Sequence, residues 1–187
     1  MAYNMFIEND IYKVSIYKDE TFTIDSTDSK SYDSILNPLN MKRSDYYQAI
    51  SINIETTSNR RNLVLIGSIY GADEGIAILE DAVLIVLMNT RLTVIDCESL
   101  AIKTSNDISE FGTYFSLYRF YDGYIVYGEL DIIKLSLELE PEWSFFGADI
   151  FVSSDGRCPF NIKGDTIILI NWNGTEYTID KSGKQLK

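Results

Sequence analysis

Short runs of β-branched and aromatic residues recur along the whole chain, separated by turn residues, and helical periodicity is scarce. The runs are 12–17, 21–24, 49–54, 63–70, 77–88, 92–95, 124–127, 132–137, 166–172 and 175–179. Their lengths and turn-bounded spacing predict strands. The clearest hairpin joins 167–172 to 175–180 through Asn173-Gly174, a dipeptide that tolerates the positive φ angles of a two-residue type I′ turn. Only the stretch from Ser31 to Tyr47, interrupted by Pro38, is expected to hold a short helix, or else a long connection.

The hairpins themselves repeat. Laying Asp10 on Asp81 and Asp165 brings Lys18-Asp19, Asn89-Thr90 and Asn173-Gly174 to one turn, and Ile24-Asp25, Ile95-Asp96 and Ile179-Asp180 into one register. A looser copy starts at Asp122-Gly123, with a Gly128-Glu129 turn and no terminal aspartate. The steps from Asp81 to Asp122 and on to Asp165 match the roughly 40-residue period of propeller blades. The longer step from Asp10 to Asp81 requires an insertion or a degenerate unit. Four units would need about 16 strands, which 187 residues supply with little to spare. The expected fold is therefore one all-β domain over 1–187, built of repeated antiparallel hairpins as an open propeller-like meander or a β-sandwich, with at most one short helix and an irregular insertion near 26–48. At this length one core can bury roughly 70% of the unfolded surface, and 13 Tyr and 9 Phe provide bulk for it.

Charge and composition exclude several functions. A net charge of −12 argues against nucleic acid and anionic membranes as partners, since both reward lysine and arginine. The start, Met1 to Asp10, lacks the charged and apolar regions of a signal peptide, and the longest apolar run, Ala82 to Met88, is too short to span a bilayer. A cytoplasmic location is expected. Cys97 and Cys158 make no disulfide framework and no paired zinc spacing; both are expected to be reduced core or strand residues. The absence of histidine rules out histidine-based triads, general bases and zinc sites. Asp25, Asp28 and Asp33 are too irregularly spaced for a calcium loop. Gly67, Gly71 and Gly75, beside Asp73 and Glu74 and without a lysine, suit turns better than a phosphate cradle. No cofactor or metal is expected.

The charge is unevenly distributed. Residues 62–156 hold 16 acids against Arg91, Lys103, Arg119 and Lys134, while the flanks balance. Glu138, Glu140 and Glu142 alternate with Leu137, Leu139, Pro141 and Trp143, so an extended strand would put the three carboxylates on one face. Pro141 points to an edge strand. Eight aromatics fall between Phe111 and Tyr127, and alternate members of a strand face opposite sides. The expected partner-binding surface is an acid-rimmed aromatic patch comprising Asp122, Tyr124, Tyr127, Glu129, Asp131, Glu138, Glu140 and Glu142.

The stretches Trp143 to Val152, Phe160 to Asp165 and Asn171 to Tyr177 resemble small bacterial proteins found beside polymorphic or contact-dependent growth inhibition toxins. That resemblance covers about the last 45 residues and carries no binding residues with it. It implies a cytoplasmic immunity protein, without catalysis, that binds and blocks a cognate toxin domain. A basic partner such as a nuclease would suit the acidic surface. The alternatives are a glycan-binding propeller-like module and a sugar hydrolase using paired carboxylates.

Overall fold

The computed structural model describes residues 4–27, 31–70, 75–154 and 156–186. Asp28, Gly71, Asp73 and Glu74 lie outside them. The described residues form sixteen strands in four sheets, with no helix. The first sheet contains β1 (Asn4–Glu8), β2 (Lys13–Lys18), β3 (Ser34–Leu36), β4 (Gln48–Glu55) and β5 (Arg60–Gly67), ordered β1-β2-β4-β5-β3 with β3 parallel to β5. The second is the antiparallel meander β6 (Ala77–Glu80), β7 (Val83–Met88), β8 (Arg91–Asp96) and β9 (Ala101–Asp107). The third repeats it with β10 (Tyr114–Phe120), β11 (Gly123–Gly128), β12 (Asp131–Ser136) and β13 (Pro141–Phe146). The fourth holds β14 (Phe160–Lys163), β15 (Thr166–Ile170) and β16 (Glu176–Asp180).

Period-two alternation explains how the sheets stack. In the first sheet Ile50, Ile52, Leu63 and Leu65 face the second sheet's Leu84, Val86 and Ile95. The second sheet turns Ile85, Leu87 and Val94 the other way, against Val126, Ile133 and Leu135 of the third. The third in turn presents Ile125, Tyr127 and Ile132 to Ile167, Leu169 and Ile179 of the fourth. Inner sheets buried on both faces carry near-continuous apolar strands, hence Val83 to Met88.

The two ends of this open array differ. On the free side of the first sheet, Ala49, Val64 and Ile66 are covered by Phe22, Ile24, Tyr32, Met41 and Tyr47 from the β2–β4 connection. On the fourth sheet the free side carries Asn161, Lys163 and Glu176, all exposed. One terminal face is thus lidded by its own insertion and the other is largely polar.

Three local expectations require correction, and one pair of alternatives resolves. Residues 21–24 form no strand: the Asp19 carboxylate accepts from the Thr21 and Phe22 amides and turns the chain, so β2 pairs with β4 instead. Ile24-Asp25 therefore does not occupy the place of Ile95-Asp96. Between Ser31 and Tyr47 the chain is the long connection and not the short helix: beyond β3, the Asn37 side chain binds both the amide and the carbonyl of Met41 in a turn that also holds Pro38. The last hairpin closes through a five-residue loop, because Ile170 pairs with Glu176 and Asn171 Oδ1 accepts from the Thr175 amide at 2.8 Å. Finally, in the aspartate repeat, Asp81 begins its two-residue turn at φ 49, a place taken by Tyr121 at φ 51 and Gly164 at φ 60. Asp122 and Asp165 sit one residue later.

Candidate functional site

Two of the expected site residues converge on a third that was not singled out. Tyr121-Asp122 is the tight turn between β10 and β11, and it carries Asp122 towards an irregularity in the next ladder. There Lys134 pairs with Trp143 but Leu135 pairs with Pro141, leaving Glu142 as the extra residue of a β-bulge. Bulges re-aim side chains. The Lys134 side chain is only 3% exposed, and its Nζ donates to the Leu135 carbonyl at 2.9 Å and to Glu142 Oε2 at 3.0 Å, with Asp122 Oδ1 3.3 Å away. Gly123 makes room for it: a Cβ there would overlap the Leu135 carbonyl oxygen and Lys134 Nζ. Asp122 is 84% exposed, and its hydrogen bond with Lys134, aided by that charge, holds its carboxyl below the usual carboxylate range.

A cavity of about 750 Å³ opens beside this cluster, walled by Phe120, Tyr121 and Trp143 and closed by Lys181 and Ser182 from the turn after β16. Exposed Tyr121 and half-buried Trp143 are both held in place. The Tyr121 ring stands edge-on to Phe120 at 4.8 Å, with Lys181 Nζ 5.4 Å from its centroid. Trp143 lies so close to Gly183 that a Cβ on the glycine would come within 2.7 Å of the indole.

Related construction recurs along this edge of the array. The second sheet has the same bulge between Val94 and Ile95, and its extra residue, Lys103, lies 3.4 Å from Asp96. Acid and base have exchanged strands relative to Lys134 and Glu142. Asp96, Ser136 and Asp180 each end the third strand of a sheet and accept from amides of the following turn: Ser99 at 2.8 Å, Glu138 at 3.1 Å and Ser182 at 2.9 Å. Hydrogen bonds from the Ser99 amide and hydroxyl lower Asp96 to about 2. Ser136 thus fills the role of the missing aspartate in the looser repeat.

The other expected residues are distributed differently. Glu138 and Glu140 are exposed, but they lie in the β12–β13 turn, where Leu139 adopts φ 67, and not with Glu142 on one strand face. Tyr124 is buried, donates to Glu80 Oε2 at 2.7 Å and has Arg119 stacked over its ring; burial, followed by Glu80, raises its hydroxyl to about 12. Tyr127 is buried and donates to the Phe151 carbonyl. Neither tyrosine can serve as a surface contact. Asp131 is likewise buried, and burial raises its carboxyl against an opposing hydrogen bond from Tyr114. Together with half-buried Glu129 it sits by the β11–β12 turn, at the opposite end of the sheet from Asp122. The physical reason is the stacking: β11 is covered on both faces, so both sets of alternating aromatics are core.

What remains is an acidic edge. The turns joining first to second and third to fourth strands in the two middle sheets carry, with the adjoining strand ends, Glu80, Asp81, Asp96, Glu98, Asp122, Glu138, Glu140 and Glu142. The bases of those two sheets beside them, Lys103, Arg119 and Lys134, are all ion-paired to members of that set, and Lys181 of the fourth sheet stands near Asp122. Tyr121, 53% exposed, and Leu137 add apolar surface. At the opposite end Phe111, Leu130 and Trp172 are exposed on loops joined by backbone bonds from Glu129 to Thr113, Phe151 to Glu129 and Trp172 to Ile150.

No family model and no curated protein matches this sequence. Solved structures do resemble it. The WD40 domain of Neurospora crassa Pan2 aligns with TM-score 0.45 and 16% identity over 59% of this chain and 36% of its own. The AfRom2 CNH domain aligns with TM-score 0.50 and 6% identity over 100% of this chain and 52% of its own. The computationally designed Ika8 protein gives TM-score 0.48 and 9% identity over 100% and 60%. The chain thus spans about half the length of the CNH domain, and the likeness is one of fold alone: an open all-β array of four sheets, a propeller-like or sandwich-like meander.

Proposed function

We propose that this protein is a non-catalytic binding protein that neutralises a basic protein partner, with the toxin domain of a contact-dependent or polymorphic system as the leading candidate and the cytoplasm as its place of action. The supporting observation is the acidic edge of the two middle sheets, where eight carboxylates outnumber three cations of those sheets, already engaged in ion pairs, and Lys181 from the neighbouring sheet. Corresponding turns of the outer sheets carry Lys13, Arg60, Arg61, Lys163, Lys181 and Lys184, which offset their own acids. The field is therefore localised, and steering by such a field raises association rates roughly 10- to 1,000-fold. Tyr121 and Leu137 would supply the apolar contacts that acids alone do not.

Hydrolysis is the less favoured reading. Asp122 and Glu142 share one ammonium, placing these oxygens within about 6 Å of each other, close enough for glycoside chemistry. The Lys134 ammonium, however, occupies the space between the two carboxylates that the scissile bond would need, and Asp122 is shifted below its ordinary value, opposite to what a general acid needs.

Affinity capture from the source cell followed by stopped-flow association tests the proposal. A stoichiometric basic partner is expected, with an association rate that falls as salt rises and drops about tenfold on combining Glu138→Lys with Glu140→Lys. Recovery of no basic partner, or a charge-reversed variant that associates and protects like the original, overturns it.

A further inference from the structure

We infer that the cavity between the third and fourth sheets binds a neutral, hydroxyl-rich ring such as a monosaccharide unit, independently of the partner proposed above. Charge comes first. Asp122 and Glu142 are balanced at the same cavity by Lys134 and Lys181, so neither a strong cation nor a strong anion gains from entering. The polar groups are mixed: carboxylate oxygens that accept, an ammonium on Lys181 that donates, and a Ser182 hydroxyl that gives its proton to Asp180 at 2.6 Å and keeps a lone pair to accept. That combination suits hydroxyls, which need donors and acceptors together.

Shape points the same way. Trp143 is half-buried, packed on the core and backed by Gly183, so the indole is held rigidly where it lines the cavity. The face of an aromatic ring carries negative partial charge, and the polarised C–H groups on one side of a pyranose are complementary to it. Lys134 lies in the floor, 3% exposed, with its donors already occupied by Leu135, Glu142 and Asp122. It therefore fixes the two carboxylates in position without needing the ligand. A volume of about 750 Å³ falls within the range of small-molecule sites and accommodates one or two sugar rings.

The test uses the full chain carrying Trp172→Phe, so that Trp143 is its only tryptophan; Trp172 is exposed and dispensable to the core. Glucose, galactose, mannose and N-acetylglucosamine are titrated singly to about 50 mM, above the roughly millimolar Kd of a weak site. At least one should change Trp143 emission saturably, and Asp122→Asn should weaken that binding by roughly tenfold. Amide chemical-shift mapping on the unsubstituted chain should place the same sugar at Tyr121, Trp143 and Ser182, and this readout does not depend on any variant folding. No saturable response to any of the four sugars overturns the inference. So does a shift map centred elsewhere, or tighter binding of trilysine than of every sugar at this cavity.

Discussion

Replacing Gly123 by alanine isolates the contact on which the Lys134 cluster depends. Gly123 opens β11 opposite Ser136, and a methyl at its Cα would occupy space held by the Leu135 carbonyl oxygen and by Lys134 Nζ. The lysine tip can swing away, whereas the carbonyl belongs to the β11–β12 ladder and cannot. The variant must therefore separate the two strands at that point, weakening the ladder and releasing a cation from its three partners. Overpacking of this kind costs about 1–3 kcal/mol, and a backbone obstacle sets the expected value near the top, about 3 kcal/mol. For a chain of this size, each kcal/mol lowers Tm by about 2–4 °C, so a fall of about 9 °C is expected. Thermal denaturation followed by circular dichroism measures the fall. Gly164→Ala is the control: its site has nothing within 4 Å of the added Cβ but a φ of 60°, so it should cost about 1 kcal/mol from backbone strain alone. Adding Lys134→Met to Gly123→Ala distinguishes the two obstacles, because it removes the ammonium and leaves the carbonyl. Recovery of most of the loss in the double variant would refute the ladder argument and assign the cost to the lysine.

Two further outcomes follow from the buried titratable groups. Burial raises Asp131 above its ordinary carboxylate value, so the folded state holds that proton more tightly than the unfolded chain, and ionisation near neutrality destabilises the fold. Asp131→Asn should therefore raise the urea midpoint at pH 7, with the advantage shrinking as pH falls through the raised value towards the unfolded one; a gap that widens on acidification would contradict this. Cys97 is buried, with burial, followed by Asp96, lifting its thiol to about 11, whereas Cys158 is exposed. Iodoacetamide at pH 8 should modify Cys158 alone in the native protein and both in urea, read by mass spectrometry; rapid native labelling of Cys97 would show that the first two sheets open.

The legibility of this sequence depended on the range of the interaction involved. Period-two alternation exposed the inner strands, and turn residues marked the hairpins, because both are local. β13 was harder, since its alternating glutamates imitate a longer strand until Leu139 turns left-handed and Glu142 becomes a bulge. Bulges come from the pairing of two strands and leave no mark on either one alone, so Lys134 passed for one of four scattered bases. Tyr124, Tyr127 and Asp131 are core residues for a related reason: alternation distinguishes the two faces of a strand, but only stacking determines whether both are covered. The acidic surplus was visible by count, whereas its concentration on one edge required the strand order. Ser136 could have been found by asking which polar residue stands where Asp96 and Asp180 stand.

The unequal coverage of the two terminal sheets sets the order in which the array should loosen. Each sheet is held chiefly by the one on either side, so stability behaves as a chain of nearest-neighbour terms, and local opening starts where a neighbour is missing. The fourth sheet has one apolar neighbour and three strands, while the first has its neighbour plus the lid built on Phe22 and Tyr47. Amide exchange should therefore run as a gradient, fastest in β16 and slowest in β4, β7 and β11, and the cavity beside Trp143 lies at the yielding end. A ligand seated there would bridge the third and fourth sheets and lock the end that otherwise frays first.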